Sequence, residues 1–237
     1  MIDTHCHLLP GIDDGPANEA DAIELARRLV EQGVRRVVCT PHVSRHRRPP
    51  EELVRSRLEH LVQSLRVLGV ELDLDTAGEV SGGFAQEGEA QALLPWRIGE
   101  RHVLVEVARD AGPSFFDHVA TALERAELTP VFAHPERSSL VRRDVRMLDS
   151  LRATGAVVQV VAPSLGSSSG SDVYRAAWEL LERGSADLVA SDAHRATGAI
   201  RLGGVLDLIE RRFGRAAVLE LTVDGPSRLL GGVGSAG

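Results

Sequence analysis

Residues 1–15 read MIDTHCHLLPGIDDG, a stretch that begins with β-forming residues and contains two histidines and three aspartates. In an extended strand alternate side chains share a face, so His5 and His7 point to one side and Cys6 to the other. Histidine and aspartate side chains are costly to bury without partners. The segment therefore predicts a first strand, Met1–His5, that ends in a chelating pair of histidines.

Short apolar runs rich in β-forming residues recur along the rest of the chain. They are RRVVCT at 35–40, ELDLDTA at 71–77, HVLVEV at 102–107, TPVFAH at 129–134, AVVQVV at 156–161 and ADLVAS at 186–191. Apolar residues at helical spacing occupy 19–33, 117–128, 144–155 and 172–184. Alternating strands and helices predict a parallel α/β sheet, and about seven such units favour a closed barrel over an open sheet.

The pattern predicts one domain over residues 1–237. The stretch APSLGSSSGSD at 162–172 is expected to be a flexible loop, and the last residues, GGVGSAG at 231–237, are expected to be disordered. No GxGxxG motif or P-loop lysine indicates a nucleotide-binding fold.

Composition excludes several classes of function. The formal net charge of -7 argues against a general nucleic-acid binder. No run of apolar residues has the length of a transmembrane helix, and no signal-peptide pattern precedes the first strand. We therefore expect a cytoplasmic protein that is not a membrane protein.

Histidines and carboxylates fall at or just past the carboxyl ends of the predicted strands. In barrels of this class the loops at that end build the active site. Imidazole and carboxylate together suit Zn, Mn or Fe, and one ion would not need so many ligands. The candidates found in this way are His5, His7, His42, Glu79, Glu106, His134, Asp192 and His194.

Four other histidines, His46, His60, His102 and His118, lie in a predicted loop, on predicted helices or at a strand start, and we expect no ligand role for them. Cys6 and Cys39 are expected to be small buried hydrophobic residues.

Six motifs, spread over essentially the whole chain, together resemble those of a known family. They are DTHCHLLPGIDDG at 3–15, TPH at 40–42, GEV at 78–80, VEV at 105–107, AHPER at 133–137 and SDAH at 191–194. Together they resemble the PHP (polymerase and histidinol phosphatase) superfamily, and within it the bacterial CpsB/YwqE-type protein-tyrosine phosphatases. The resemblance implies a distorted (β/α)7 TIM-like barrel. It also implies a phosphotyrosine substrate on the tail of an autokinase of capsular or exopolysaccharide synthesis.

The resemblance also implies a centre of two or three divalent ions, Mn²⁺ first, with Zn²⁺ or Fe as alternatives. Glu106 would bridge them and take part in catalysis. The residues themselves leave Asp14 open, because Asp13 and Asp14 before Gly15 equally suit a turn or a helix cap. Carried over by motif, the ligands would be His5, His7, Asp14, His42, Glu79, Glu106, His134, Asp192 and His194.

Arg137, three residues after His134, is the candidate for substrate binding and catalysis, since its planar fork matches phosphoryl oxygens. The family often has a glycine-arginine step after SDAH that contributes to phosphate binding. Here the order is RATGAIRLGG, which leaves open whether Arg195 or Arg201 replaces it. The basic loop at 44–50, SRHRRPP, is interpreted as a solvated charge run.

Clustered cations can neutralise a phosphate monoester and activate water without a cysteine nucleophile. The fifth residue after Cys6 is Gly11 and the fifth after Cys39 is Ser44, so we expect neither cysteine to have the arginine partner of a cysteine-phosphatase loop. A small-molecule phosphatase such as histidinol phosphatase is the alternative, and the two are separated by substrate. A non-catalytic metal-stabilised module is disfavoured, because structural sites normally close with four ligands. The sequence leaves the oligomeric state open, a homo-oligomer included.

Overall fold

A computed structural model of the protein describes residues 1–87, 90–166, 171–196 and 202–231. The strands are β1 Ile2–Cys6, β2 Arg36–Cys39, β3 His42–Val43, β4 Asp73–Thr76, β5 Glu79–Ser81, β6 Arg97–Ile98, β7 His102–Glu106, β8 Thr129–Ala133, β9 Val157–Val161 and β10 Leu188–Ala190. The helices are α1 Glu19–Glu31, α2 Glu51–Val67, α3 Gly82–Gln86, α4 Ala90–Leu93, α5 Phe115–Arg125, α6 Ser139–Arg143, α7 Met147–Ala153, α8 Ala162–Leu165, α9 Asp172–Glu182, α10 Leu202–Phe213, α11 Arg215–Leu219 and α12 Gly225–Leu229.

The strands form two ladders, β1-β2-β4 and β10-β9-β8-β7-β5-β3, in which all these neighbours are parallel. The short β6 adds an antiparallel pair to β7. Each of the pairs β2/β3 and β4/β5 is one path of the chain interrupted by two residues. Backbone hydrogen bonds continue across the interruption, since Ala77 N–H donates to Cys39 O and Glu79 N–H donates to Pro41 O.

The two ladders meet again between β1 and the end of β10. A single parallel bridge joins Cys6 to Ala193, and the N–H groups of His7 and Asp192 donate to Ala193 O and His5 O at 2.9 Å. Counted with each interrupted pair as one, the described residues form seven parallel strands around an irregular ring. The α/β class and the distorted barrel-like arrangement are confirmed, although the ladder between β1 and β10 is reduced to this bridge.

Apolar side chains on the strands alternate between two clusters. On β7, Val103 and Val105 belong to the large cluster under the helices, whereas Leu104 belongs to a small inner cluster. On β8, Phe132 faces the helices, and Val131 faces the inner cluster. Strands with two apolar faces are expected where helices cover the outside of a ring whose inside is filled.

The helix predicted at 19–33 is confirmed as α1, which the side chain of Asn18 caps by accepting from Asp21 N–H. The helix predicted at 144–155 is shorter, because α7 begins only at Met147. The predicted loop at 162–172 begins with the helical turn α8, so that prediction was wrong for its first residues. Residues 167–170 and 232–237 lie outside the described residues, and the single domain stays a prediction. Among the described helices, none combines the length and apolar character needed to cross a membrane.

Candidate metal centre

Seven of the predicted ligands come together at the carboxyl ends of the strands, and Asp14 joins them from the loop after β1. Their donor atoms form three overlapping groups in which all atoms lie within 4.8 Å of one another. Eight of the nine residues in the predicted ligand set therefore meet in one place. The groups are His7, Asp14, His42 and His194; His5, Glu79 and His134; and His5, His7 and Asp192.

Glu79 occupies the middle of this cluster and is 1% exposed. Its Oε2 lies 3.5 Å from Nε2 of His5 and 3.3 Å from Nε2 of His7. The same oxygen lies 3.0 Å from Nδ1 of His42, while Oε1 accepts a hydrogen bond from Nε2 of His134 at 2.8 Å. One carboxylate thus contacts four imidazoles from three different strand ends.

The rings of His5 and His7 are fixed by partners that the sequence analysis did not identify. His5 Nδ1 donates to Oε1 of Gln159 at 2.8 Å, and the amide nitrogen of Gln159 donates to Thr4 Oγ1. His7 Nδ1 pairs with Oδ2 of Asp13 at 2.6 Å. Because Nδ1 is engaged in each ring, the two Nε2 atoms face each other at 3.4 Å. Such partners fix the tautomer and orientation of metal-binding histidines.

The charges in the cluster shift its pKa values strongly. Burial lowers the pKa of His5, but the charges of Glu79 and Asp192 outweigh it and raise that pKa to about 9. Burial opposes protonation of His7 as well, yet hydrogen bonds to Asp13 and Glu79 raise its pKa to about 9. Burial raises the pKa of Glu79, but the charge of His5 holds it well below its usual range. The raised pKa values of the two histidines and the lowered pKa of Glu79 have one cause, which is the close approach of imidazoles and carboxylates.

Two of the residues in the cluster have left-handed backbone conformations. His134 has φ 39° and Asp192 has φ 52°, and neither is a glycine. Such conformations cost about 1–3 kcal/mol each and are concentrated at functional sites. The fold thus holds a strained backbone at the positions from which these side chains enter the cluster.

Two buried atoms in the cluster have close neighbours but no well-aligned hydrogen bond. They are Glu79 Oε2 and His134 Nδ1, two of the seven such side-chain atoms among the described residues. Groups of this kind are normally satisfied. Imidazole nitrogens and carboxylate oxygens, grouped here within 4.8 Å of one another, are the ligands that divalent first-row metals take. The residues present therefore fit a metal centre.

Comparison with known proteins gives this cluster a context. The sequence model of a family described as "Capsular polysaccharide synthesis, CpsB/CapC" matches residues 1–231. The chain belongs to the CpsB/CapC family. It is 31% identical over 226 residues to the tyrosine-protein phosphatase YwqE of Bacillus subtilis, covering 94% of this chain and 89% of that protein. It is 24% identical to the tyrosine-protein phosphatase CpsB of Streptococcus pneumoniae, covering 97% of this chain and 98% of that protein. The family predicted from the motifs is confirmed.

A solved structure supports the same assignment. It is described as belonging to YwqE and CpsB, "unique metal-dependent tyrosine phosphatases", and matches with a TM-score of 0.86 and 28% identity over 98% of this chain and 96% of that chain. A putative histidinol phosphatase from Listeria monocytogenes matches with a TM-score of 0.53 at 11% identity, over 82% of this chain and 95% of that chain. At that identity it shows the shared fold alone.

Two predicted ligands of this CpsB/CapC chain differ from the rest. Asp14 is 59% exposed, with Oδ1 3.5 Å from His42 Nε2 and 3.4 Å from His194 Nε2. It lies at the mouth of the cluster, and the alternative that it caps the next helix was wrong, because Asn18 is the cap. Glu106 lines the cavity over the cluster without belonging to any of the three donor groups. Its bridging role stays a prediction.

A cavity of about 210 Å³ opens over the cluster. Arg137 lines it, and its Nη1 lies 2.7 Å from Oδ2 of Asp192, so the guanidinium is placed beside the cluster. Arg195 lines a neighbouring cavity of about 360 Å³ that shares His194 with the first. Arg201 lies outside the described residues.

The cysteines take no part in the cluster, but the expectation about their spacing was wrong. Cys39 and Arg45 enclose five residues, TPHVS, as in the phosphate-binding loop of cysteine phosphatases. The structure rules out this use: Cys39 is fully buried, and burial raises the pKa of its thiol. Arg45 is 62% exposed and pairs with Glu87. Cys6 is buried as well. Both thiols are structural, as expected.

Proposed function

We propose that this chain is a metal-dependent protein-tyrosine phosphatase. The observation that carries the proposal is the convergence of eight predicted ligands, one of which, Glu79, lies in their middle with its Oε2 buried and without a well-aligned hydrogen bond. The relatives named as tyrosine-protein phosphatases, matched over most of the chain, support the same activity. A protein with only a structural ion would not need so many donors.

The metal ligands in this proposal are His5, His7, Asp14, His42, Glu79, Glu106, His134, Asp192 and His194. We infer two or three divalent ions, Mn²⁺ first, with Zn²⁺ or Fe as alternatives, because the donors are imidazole nitrogens and carboxylate oxygens without thiolate. Such ions neutralise a phosphoryl group and activate water for attack. Asp13 and Gln159 hold the rings of His7 and His5 in place for that role.

Arg137 binds the phosphoryl group in this proposal. Nη1 is engaged by Asp192 at 2.7 Å, and a guanidinium has five N–H donors, so others remain for a substrate oxygen. The ion pair with Asp192 also fixes the orientation of the Arg137 guanidinium group. A donor aimed at the oxygens where charge develops contributes to the rate of phosphoryl transfer, as in other preorganised sites.

The substrate in this proposal is a tyrosine-phosphorylated protein, the tail of an autokinase in capsular or exopolysaccharide synthesis, and the enzyme acts in the cytoplasm. The family description and the relatives support this assignment. Histidinol phosphate is the competing substrate for a chain of this fold.

The test is a direct comparison of kcat/KM on three substrates with the Mn²⁺-loaded protein: a phosphotyrosine peptide, the same peptide with phosphoserine, and histidinol phosphate. We expect the phosphotyrosine peptide to be preferred by at least about 100-fold, which corresponds to roughly 2.7 kcal/mol of transition-state binding. A preference for histidinol phosphate would replace the proposed substrate while keeping the metal chemistry. No hydrolysis of any of the three would contradict the proposal.

A further inference from the structure

The cavity over the metal centre has a second arginine besides Arg137. Arg109 lies in the loop after β7 and lines the same cavity. Its backbone carbonyl accepts a hydrogen bond from the N–H of Ser139 at 2.8 Å. Ser139 follows Arg137 by two residues, so this bond ties the two arginine-bearing segments together at one rim of the cavity.

The two arginines differ in what their guanidinium groups contact. The guanidinium of Arg137 pairs with Asp192, a predicted metal ligand. The side chain of Arg109 is exposed, and within the part of the chain that the structure describes it has neither an ion pair nor a hydrogen bond. Its five N–H donors therefore remain available to a ligand in the cavity.

The charge around the cavity makes an unpaired cation there significant. The carboxylates of Glu79, Glu106 and Asp192 line the same space and repel an incoming anion. Cations at the rim of such a cleft attract anionic substrates and orient them as they enter. Arg109 carries a planar fork that matches two oxygens of one phosphoryl group, which a flexible point charge would not do.

We propose that Arg109 is a second phosphoryl-binding residue of this site, a role that rests on the proposed phosphatase function. Arg195 lines the neighbouring cavity, and Arg201 lies outside the described residues. Arg109 enters this role from the loop after β7. It contacts the phosphoryl oxygens together with Arg137.

The test uses the Mn²⁺-loaded full chain and three variants: Arg109→Ala, Arg109→Lys and Arg125→Ala. Arg125 is an exposed arginine at the carboxyl end of α5, next to the amino end of β8 and away from the cavity, and it serves as the matched control. Substrates are p-nitrophenyl phosphate and a phosphotyrosine peptide, and inorganic phosphate is the competitive inhibitor. Metal content and thermal unfolding are measured for each variant.

We expect Arg109→Ala to raise KM for both substrates and Ki for phosphate by about tenfold, the low end for a hydrogen bond to a charged group, because the side chain is exposed. Arg109→Lys should recover part of the loss, and Arg125→Ala should match the parent.

Three results would overturn the proposal: an unchanged KM and Ki in Arg109→Ala, a loss confined to the peptide, or a loss of bound metal. Inactivity of the parent protein on both substrates would instead overturn the phosphatase function itself.

Discussion

The two ends of the strand ring hold ionisable groups in opposite ways. At the amino ends of β9 and β10 a cavity of about 670 Å³ is lined by arginines and aspartates that pair with each other or with a nearby carboxylate. Arg152 donates to Asp187 from Nη2 to Oδ1 at 2.6 Å and from Nε to Oδ2 at 3.1 Å. Asp187 also accepts a hydrogen bond from Val158 N–H. At the carboxyl ends the cavity is about 210 Å³, and Glu79 Oε2 beneath it is buried without a well-aligned hydrogen bond.

This difference shows that cavity size does not identify the functional end. Charged groups that satisfy each other stabilise the fold modestly and need no ligand. Buried carboxylates and imidazoles that lack well-aligned hydrogen bonds are costly, and a protein retains them where a ligand completes them. The smaller cavity is therefore the candidate site, and the larger one is a surface cleft lined by ion pairs.

The strongest test of this comparison changes one carboxylate at each end. Glu79→Gln should lose bound metal and lower turnover by at least about 1,000-fold, because the ions supply several kcal/mol of transition-state stabilisation. Asp187→Asn should keep metal content and turnover. Its cost is about 1–2 kcal/mol of unfolding free energy, since it weakens a half-exposed ion pair and a backbone hydrogen bond. Metal analysis, kinetics and denaturant unfolding of both variants decide this. Equal losses of turnover at the two ends would break the distinction.

A second test separates two residues of the carboxyl end. Arg137→Ala should retain its metals and lose about 100- to 1,000-fold in kcat/KM, by analogy with the removal of one preorganised donor. His134→Ala should lose metal as well as turnover, because it removes a nitrogen that contacts Glu79. Metal content beside kinetics on a phosphotyrosine peptide distinguishes them. Parent-level kinetics in Arg137→Ala would make Arg137 a structural partner of Asp192 only.

A third, smaller effect is expected from the residue that orients His7. Asp13 Oδ2 accepts from His7 and from the N–H of His42, so it fixes two ligand-bearing segments. Asp13→Ala should weaken metal affinity by about 10- to 100-fold, the usual effect of losing such a partner. Asp117→Ala, an exposed aspartate on α5, is the control. Unchanged metal affinity in a folded Asp13→Ala protein would show that His7 needs no partner.

The smallest effect on turnover is expected at the cysteine with the cysteine-phosphatase spacing. Cys39→Ser should stay within about threefold of the parent in kcat/KM, because no step uses this buried thiol. Its unfolding free energy should fall by about 1–3 kcal/mol, since a hydroxyl replaces a thiol in an apolar core. If turnover fell by several orders of magnitude with fold and metals intact, Cys39 and Arg45 would be the catalytic pair.

Much of the ring was readable from sequence because its strands are short apolar runs between polar segments. The interruptions were not, since β3 and β5 are too short for any periodicity to register. Helix α2 was missed as an element because few of its residues are buried: only Val54, Leu61 and Leu65 among those described.

The candidate site shows the same limit. Its ligands stood out as histidines and carboxylates at strand ends, which local pattern reveals. Their partners did not stand out. Gln159, a lone polar residue in an apolar strand, is a signal for such a partner. The central place of Glu79 depends on how strands distant in sequence pack around it, which no local pattern contains.

The central claim is that the buried donors at the carboxyl end are completed by metal ions and that hydrolysis depends on them. The most direct test is to strip the protein with a chelator, remove the chelator, and follow phosphotyrosine-peptide hydrolysis while Mn²⁺ is added back. We expect no turnover in the stripped protein, recovery with Mn²⁺, and two or three bound ions per chain at full activity. Full activity in protein shown by metal analysis to be free of divalent ions would contradict the account.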